Sequence, residues 1–186
     1  LYDKSGITNH QIKKLQKQIN IESIYLSNIE HRFYDNIKYW ASLPSRMPMD
    51  IERGIYISSY YGFREDPMHD KKQFHSGDDF SAKPGTPVKC TANGLVIKAE
   101  FNHRLGNFVE ISHGYGYKTV YAHMENGLSV QKGDKVFRGQ TIGAVGNTGR
   151  STAPHLHYEV KYDNKTENPR KFYTYDKKLE KLIYYP

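Results

Sequence analysis

Two histidines, His155 and His157, stand two apart in the run TAPHLHYEV, residues 152–160. A strand sends successive side chains to opposite faces. The alternation therefore puts His155, His157 and Glu159 on one face and Leu156, Tyr158 and Val160 on the other. Two imidazoles on one face are raw material for a metal site or for proton transfer near neutral pH. An ordinary polar surface face would show the same alternation, so the pair needs further ligands before it implies chemistry. FHSGDDF, residues 74–80, supplies candidates. His75 and Asp79 are four apart and share a face if the segment is extended, and Gly77 lets the backbone bend or pass close to a neighbour. Asp78 then points the other way. One imidazole and one carboxylate are half of a metal site. One histidine of the HLH pair completes a His₂Asp set, and catalytic zinc takes three such ligands and keeps a fourth position open.

No His-Glu-x-x-His helix is present, so the general base of that arrangement has to come from elsewhere. His123 in TVYAHM and the other histidine of the HLH pair are the groups available for proton transfer. Glu159 shares the HLH face and could orient a ligand through an outer hydrogen bond. The remaining histidines are expected to be solvated. His10 and His31 lie in a helical segment, and His69, His103 and His113 lie in loops or at hairpin ends.

The elements that would carry these residues change character near residue 48. Residues 7–42 contain neither Gly nor Pro. Ile12, Ile19, Leu26, Phe33 and Trp40 recur every seven residues, a helical signal with a coiled-coil-like period. Thr8 and Gln11 fit a capping box at its start. Glu22 and Asn36 interrupt the second stripe, which argues against a long two-stranded coil. The spacing predicts a bent helix or a helical hairpin packed on its own domain; the sharper alternative is an arm that meets a partner protein or gates the site. SLPSRMP, residues 42–48, ends the helix. From Ile55 to Tyr162 short β-rich runs (PVKC, GLVIKAEF, NFVEISHG, YKTVYAHM, DKVFRGQTIGAVG, HLHYEVKY) alternate with turn signals such as KPG, HGYG, KGD and NTG. That pattern predicts a mainly β fold, an antiparallel two-sheet or barrel-like core. The predicted parts are a helical arm over 1–43, a β domain over 44–165 and a polar C-terminal tail over 166–186, in which DKKLEKLIYY fits a short helix or a strand.

Composition narrows the class. The chain has 186 residues, 37% hydrophobic and 25% charged, as in a soluble domain with an arm. A net charge of +7 favours anionic partners such as acidic cell-wall polymer, acidic lipid or nucleic acid. No nucleic-acid motif accompanies the charge, so nucleic acid is not expected as a partner. The single cysteine, Cys90, excludes an internal disulfide and a cysteine-based zinc site, and reads as a small buried strand residue. No apolar run approaches the ~18 residues of a membrane span. The chain begins at Leu1 and not Met, so it reads as a fragment, and an export signal or membrane anchor can lie outside it.

Taken together and in order, YYGFRED, FHSGDDF, GNFVEISHGYGYKTVYAHM, VQKGDKVFRGQTIGAVGNTG and STAPHLHYEV resemble the motifs of the lysostaphin-like, or LytM-type, zinc metallopeptidases, which cut peptide bridges in bacterial cell wall. The resemblance covers residues 44–162. It implies one Zn²⁺ per chain held by His75, Asp79 and His157, with His123 and His155 as a catalytic pair that does not bind the metal. It also implies that Arg64, Asn107 and the loop GNTGRST, residues 146–152 and including Ser151, border the substrate groove. The implied function is a peptidoglycan endopeptidase acting on cross-linked stem peptides in the periplasm or cell envelope. A D,D bond is favoured because the helical arm is similar to those of Gram-negative members. Two alternatives stand beside it. One is a catalytically silent or latent LytM-like scaffold that regulates another cell-wall enzyme, although such relatives usually lack ligands that are present here. The other is a biotinyl- or lipoyl-type carrier domain, which VQKGDKVFRGQTIGAVG resembles; it would need a Met-Lys hairpin tip and would leave the histidines unexplained.

Overall fold

The structure is a computed structural model in which residues 8–50, 55–65 and 72–173 are described. His69 and the run DKKLEKLIYY lie outside the described residues. The chain divides into two compact units, Leu1–Trp40 and Ala41–Pro186.

Without a Gly or Pro to break it, the N-terminal segment forms one 34-residue helix, α1 (Asn9–Ser42), and not the hairpin that was one of the two predicted forms. The capping box is in place. The Thr8 amide donates to Gln11 Oε1 at 2.8 Å, and the Gln11 amide donates back to Thr8 Oγ1 at 3.3 Å. The seven-residue stripe is exposed along its length, from Ile12 through Ile19, Leu26 and Phe33 to Trp40. No helix among the described residues is long and apolar enough to cross a membrane.

The second unit is antiparallel β, as its alternating runs predict. Its strands are β1 (Tyr56–Ser59), β2 (Gly62–Glu65), β3 (Lys72–His75), β4 (Asp78–Ser81), β5 (Pro87–Lys89), β6 (Gly94–Asn102), β7 (Gly106–Gly114), β8 (Tyr117–Met124), β9 (Lys135–Val136), β10 (Thr141–Ala144), β11 (His155–Tyr162) and β12 (Lys165–Glu167). The main sheet runs β1-β4-β11-β8-β7-β6-β9, with β12 also on β11, and two small ribbons, β2–β3 and β5–β10, complete the unit. Leu156, Tyr158 and Val160 of β11 join Tyr121, Val109, Ile111 and Phe80 in the main core, as the period of two requires. The opposite face of the same strands carries the small cluster Phe108, Val120 and Ala122, together with His157 and Glu159. Residues 166–173 continue the unit. Tyr173 packs on Phe80 and Tyr158, and its hydroxyl donates to Asp78 Oδ2 at 3.3 Å.

His113 departs from expectation. It is buried and not solvated, because β7 carries it inward beside Thr119. Its Nδ1 donates to the Asn93 carbonyl at 2.8 Å and its Nε2 lies 2.7 Å from Thr119 Oγ1. Burial pushes its pKa down to about 4, so the ring is a neutral structural group. His10, His31 and His103 are exposed, and Cys90 is buried, as the sequence predicts.

Candidate functional site

β4, β11 and β8 lie side by side, and their shared face gathers the chemistry. In the β4–β11 ladder His157 stands opposite Asp79, and in the β11–β8 ladder it stands opposite Ala122. The alanine leaves room above the sheet. His75 arrives from the end of β3, in a different ribbon, so β3 and β4 are not one extended strand. The chain turns between them at Ser76–Gly77. A Cβ on Gly77 would lie 2.2 Å from the Tyr158 carbonyl oxygen, so only glycine lets this turn press against β11. Asp78 faces away, as predicted, where its Oδ1 accepts the Tyr61 amide at 2.8 Å.

The result is a tight cluster of three. His75 Nε2 and Asp79 Oδ1 are 3.1 Å apart, His157 Nδ1 and Asp79 Oδ1 2.8 Å, and the two ring nitrogens 3.1 Å. Outer hydrogen bonds decide which nitrogens carry protons. His75 Nδ1 donates to the Tyr60 carbonyl at 2.9 Å, and His157 Nε2 donates to Glu159 Oε1 at 3.2 Å. In the neutral rings the two inward nitrogens are therefore lone pairs, facing a carboxylate oxygen. Three acceptors that converge with no donor among them need a cation or an extra proton. A tetrahedral ion with bonds of ~2.1 Å spaces its ligand atoms about 3.4 Å apart, so a small outward relaxation fits a metal. His75, Asp79 and His157 together are a set that could hold one.

The charges agree with that fit. Burial alone would drive the His157 imidazolium down, but the Asp79 and Glu159 carboxylates outweigh it and raise its pKa to about 9. Burial likewise opposes ionisation of Glu159, yet the hydrogen bond from His157 holds it down to about 2. Asp79 is held well below the usual carboxylate range, against burial, by the His157 and His75 rings. Its Oδ2 also receives Arg64 Nη2 at 3.4 Å. Ser76 Oγ donates to Glu159, so one carboxylate steadies both the His157 ring and the turn after His75.

His123 and His155 are built differently. His155 Nδ1 donates to the Ala153 carbonyl at 2.7 Å and His123 Nδ1 to the Thr148 carbonyl at 2.8 Å. Each neutral ring then presents its Nε2 lone pair, and the ring centroids are 4.7 Å apart. His123 reaches this face through backbone strain. Its φ is 61°, a left-handed value in a non-glycine residue at the end of β8. Simple alternation would have placed it with Tyr121 in the core; the irregular register against β7 between Asn107 and Val109 turns it to the site. Burial, reinforced by His155 and His157, lowers its pKa to about 4.

All five residues line one cavity of about 410 Å³, with Arg64 and Ser151 also in its walls. Ser151 Oγ lies 3.2 Å from His155 Nδ1. Asn107 does not line the cavity. Its Nδ2 donates to Asn126 Oδ1 at 2.9 Å and its amide to Thr148 Oγ1 at 2.9 Å, so it braces the loop behind His123. Ser76 and Arg104, which the sequence did not single out, also line the cavity, as does Arg150 of the loop GNTGRST expected at the groove. Adjacency to His75 pointed to Ser76; nothing in the spacing pointed to Arg104.

Comparison with known proteins places this geometry. The family model "Peptidase family M23" matches residues 73–169, more than half of the chain. The peptidoglycan DD-endopeptidase ShyC of Vibrio cholerae is 40% identical over 126 residues, which is 67% of this chain and 28% of that relative's length. A zinc-containing peptidase structure from Vibrio cholerae superposes with a TM-score of 0.59 at 36% identity, covering 67% of this chain and 39% of that one. The antimicrobial peptidase lysostaphin of Staphylococcus simulans superposes with a TM-score of 0.56 at 31% identity, covering 65% and 50%. The chain thus spans well under two thirds of the length of each of these proteins. His75, Asp79, His123, His155 and His157 all fall inside the matched segment, and the chain belongs to peptidase family M23.

Proposed function

We propose that this chain is a zinc-dependent endopeptidase that hydrolyses peptide cross-links of bacterial peptidoglycan, with a D,D bond as its target. The observation that carries the proposal is the convergence of three acceptor atoms, His75 Nε2, Asp79 Oδ1 and His157 Nδ1, beside two further histidines in one open cavity. Similarity to a relative named as a DD-endopeptidase supports the substrate. His75, Asp79 and His157 would hold one Zn²⁺, which when bound polarises a carbonyl and makes water acidic near neutral pH.

The chain's own residues do the rest. His123 and His155 have their Nδ1–H groups tied to carbonyls, so their Nε2 atoms are the proton carriers. One takes a proton from the water that attacks the scissile carbonyl, and an Nε2–H so formed returns a proton to the leaving amine. The other ring borders the developing oxyanion and stabilises it when its Nε2 carries a proton. Glu159 and the Tyr60 carbonyl keep the ligand rings in the tautomers that the site needs. Arg64 and Ser151 border the bound peptide. In this proposal residues 44–165 form the catalytic domain, with 1–43 as an arm available to a protein partner and 166–186 as a tail. The site of action is the periplasm or cell envelope, where the substrate is.

Digestion of purified cross-linked peptidoglycan, with zinc and with a chelator, tests the proposal by mass spectrometry of the products. Zinc-dependent conversion of dimeric to monomeric muropeptides is the expected result. Failure to release monomers from a preparation shown to contain zinc would refute it.

A further inference from the structure

Asp78 is fully buried, yet the reaction proposed above gives it no task. It stands beside Asp79 in β4 and faces the other side of the strand. A carboxylate is costly to bury, and an apolar residue at the same position would avoid that cost. Its contacts show what it holds. Oδ1 accepts the Tyr61 amide at 2.8 Å, and Oδ2 accepts the Tyr173 hydroxyl at 3.3 Å.

The Tyr61 amide belongs to the same peptide group as the Tyr60 carbonyl, and that carbonyl accepts His75 Nδ1–H at 2.9 Å. In a trans peptide the C=O and N–H point in opposite directions along one rigid plane. The plane therefore has Asp78 on one side and the His75 ring on the other. Hydrogen bonds in series polarise one another, so an acceptor drawing on the N–H makes the carbonyl a better acceptor in turn. Strand pairing does not hold this plane. β1 ends at Ser59 and β2 begins at Gly62, and neither ladder includes Tyr60 or Tyr61. The segment after β12 backs it instead. The Arg170 guanidinium lies 4.5 Å from the centroid of the Tyr60 ring, and the Tyr61 hydroxyl donates to the Thr166 carbonyl at 3.0 Å. Tyr173, whose ring packs on Phe80 and Tyr158, brings its hydroxyl to Asp78 from the main core.

Resting on the zinc site proposed above, we infer that Asp78 is a positioning residue: through the Tyr60–Tyr61 peptide it fixes the tautomer and the aim of the His75 ring, with residues 166–173 as its backing. It acts on His75 as Glu159 acts on His157, one peptide group further out. Outer partners of this kind set the affinity of a metal-ligating histidine without touching the metal.

Three readouts test this: zinc affinity by chelator competition, the His75 Nδ1–H resonance in NMR spectra of the isotope-labelled zinc-free protein, and Tm. Asp78→Ala is expected to lose about 10- to 100-fold in zinc affinity. Its His75 Nδ1–H resonance should move upfield or vanish by exchange with water as the Tyr60 carbonyl lets go. Asp78→Asn keeps an oxygen for the Tyr61 amide and offers an N–H to the Tyr173 hydroxyl, so it should recover most of the affinity and keep the resonance. Val88→Ala, in the core under the β5–β10 ribbon, should lower Tm and leave the other two readouts as in wild type. Tyr173→Phe keeps the ring packing and removes only the hydroxyl. It should weaken zinc binding less than Asp78→Ala and shift the same resonance. Wild-type affinity and resonance in Asp78→Ala, or in Tyr173→Phe where Asp78→Ala does not fold, overturn the inference. A His75 resonance that depends on Asp78 in a protein that binds no zinc would support the positioning role and refute the zinc site. Zinc binding that is indifferent to Asp78 would do the reverse.

Discussion

Two pairs of histidines sit within one cavity, and they differ in what their remaining ring nitrogens face. In the His75–His157 pair the outer bonds run to Tyr60 and Glu159, and the remaining lone pairs converge on Asp79. In the His123–His155 pair both Nδ1 atoms are tied to loop carbonyls, and Nε2 is presented without a carboxylate in hydrogen-bonding range; His155 Nε2 is 3.8 Å from Asp79 Oδ1. The lesson is that what the remaining nitrogen faces, and not only the partner behind the ring, separates a candidate ligand from a candidate proton carrier: His75 has a carbonyl behind it, as His123 and His155 do. A carboxylate behind His157 raises its affinity for a proton or a cation. A dry, histidine-crowded pocket lowers that of His123.

The largest effect should come from breaking the converging set. Asp79→Ala removes the charge that both inner rings face, and should cost about 10²- to 10⁴-fold in zinc affinity with complete loss of turnover, since breaking a buried charged cluster costs about 3–5 kcal/mol. Competition with a chromophoric chelator measures it; unchanged zinc content would remove Asp79 from the ligand set. Next, His123→Ala and His155→Ala should retain zinc and lose about 10²- to 10⁴-fold in kcat, the usual share of general acid–base catalysis. Loss of zinc from either variant would erase the distinction between the pairs.

A pH experiment sharpens the contrast. Without metal, His157 has a pKa raised from 6.5 to about 9, so its protonated form stabilises the fold. That contribution is fully present below pH 6.5 and is lost as pH rises through 9; the magnitude is about 3 kcal/mol. Urea unfolding of the zinc-free protein at pH 6.5 and 9.5 should show this fall, and the zinc-bound protein should not. His123, whose pKa is lowered to about 4, has the opposite sign: its contribution weakens as pH falls from 6.5 toward 4. The smallest change is Glu159→Gln, which keeps an acceptor for His157 and Ser76 but removes the charge. It should weaken zinc binding by about 10- to 100-fold with little change in Tm. Isothermal titration checks this, and an unaltered zinc affinity would reduce Glu159 to a packing role.

Part of the candidate site was legible in the sequence where its geometry is local. The alternation around His155 and His157 fixed which side chains share a face, and the strand obeys it from Leu156 to Val160. Gly77 signalled a close backbone approach, which the Tyr158 carbonyl supplies. The capping box of Thr8 and Gln11 was equally local. His75 and Asp79 do meet, but by a turn between two sheets and not along one extended face. Position along the chain misled for His113, since a hairpin end can be covered by the next strand; Asn107, expected at the groove from the family motifs, has its side-chain amide turned to its own loops.

The sequence by itself determined the residue types, the period of two that presents the HLH pair, the helical arm and the family motifs, because each is a short-range property of neighbours along the chain. Only the tertiary structure decided the roles. The left-handed turn that swings His123 out of the core exists because β7 and β8 fall out of register beside it. The tautomers of His75 and His123 depend on carbonyls 15 and 25 residues away in sequence. The Arg150 amide reaches the Arg104 carbonyl because Gly106 and Gly149, far apart in the chain, let two backbones touch. These are contacts between distant segments, and no spacing along one segment encodes where another will lie.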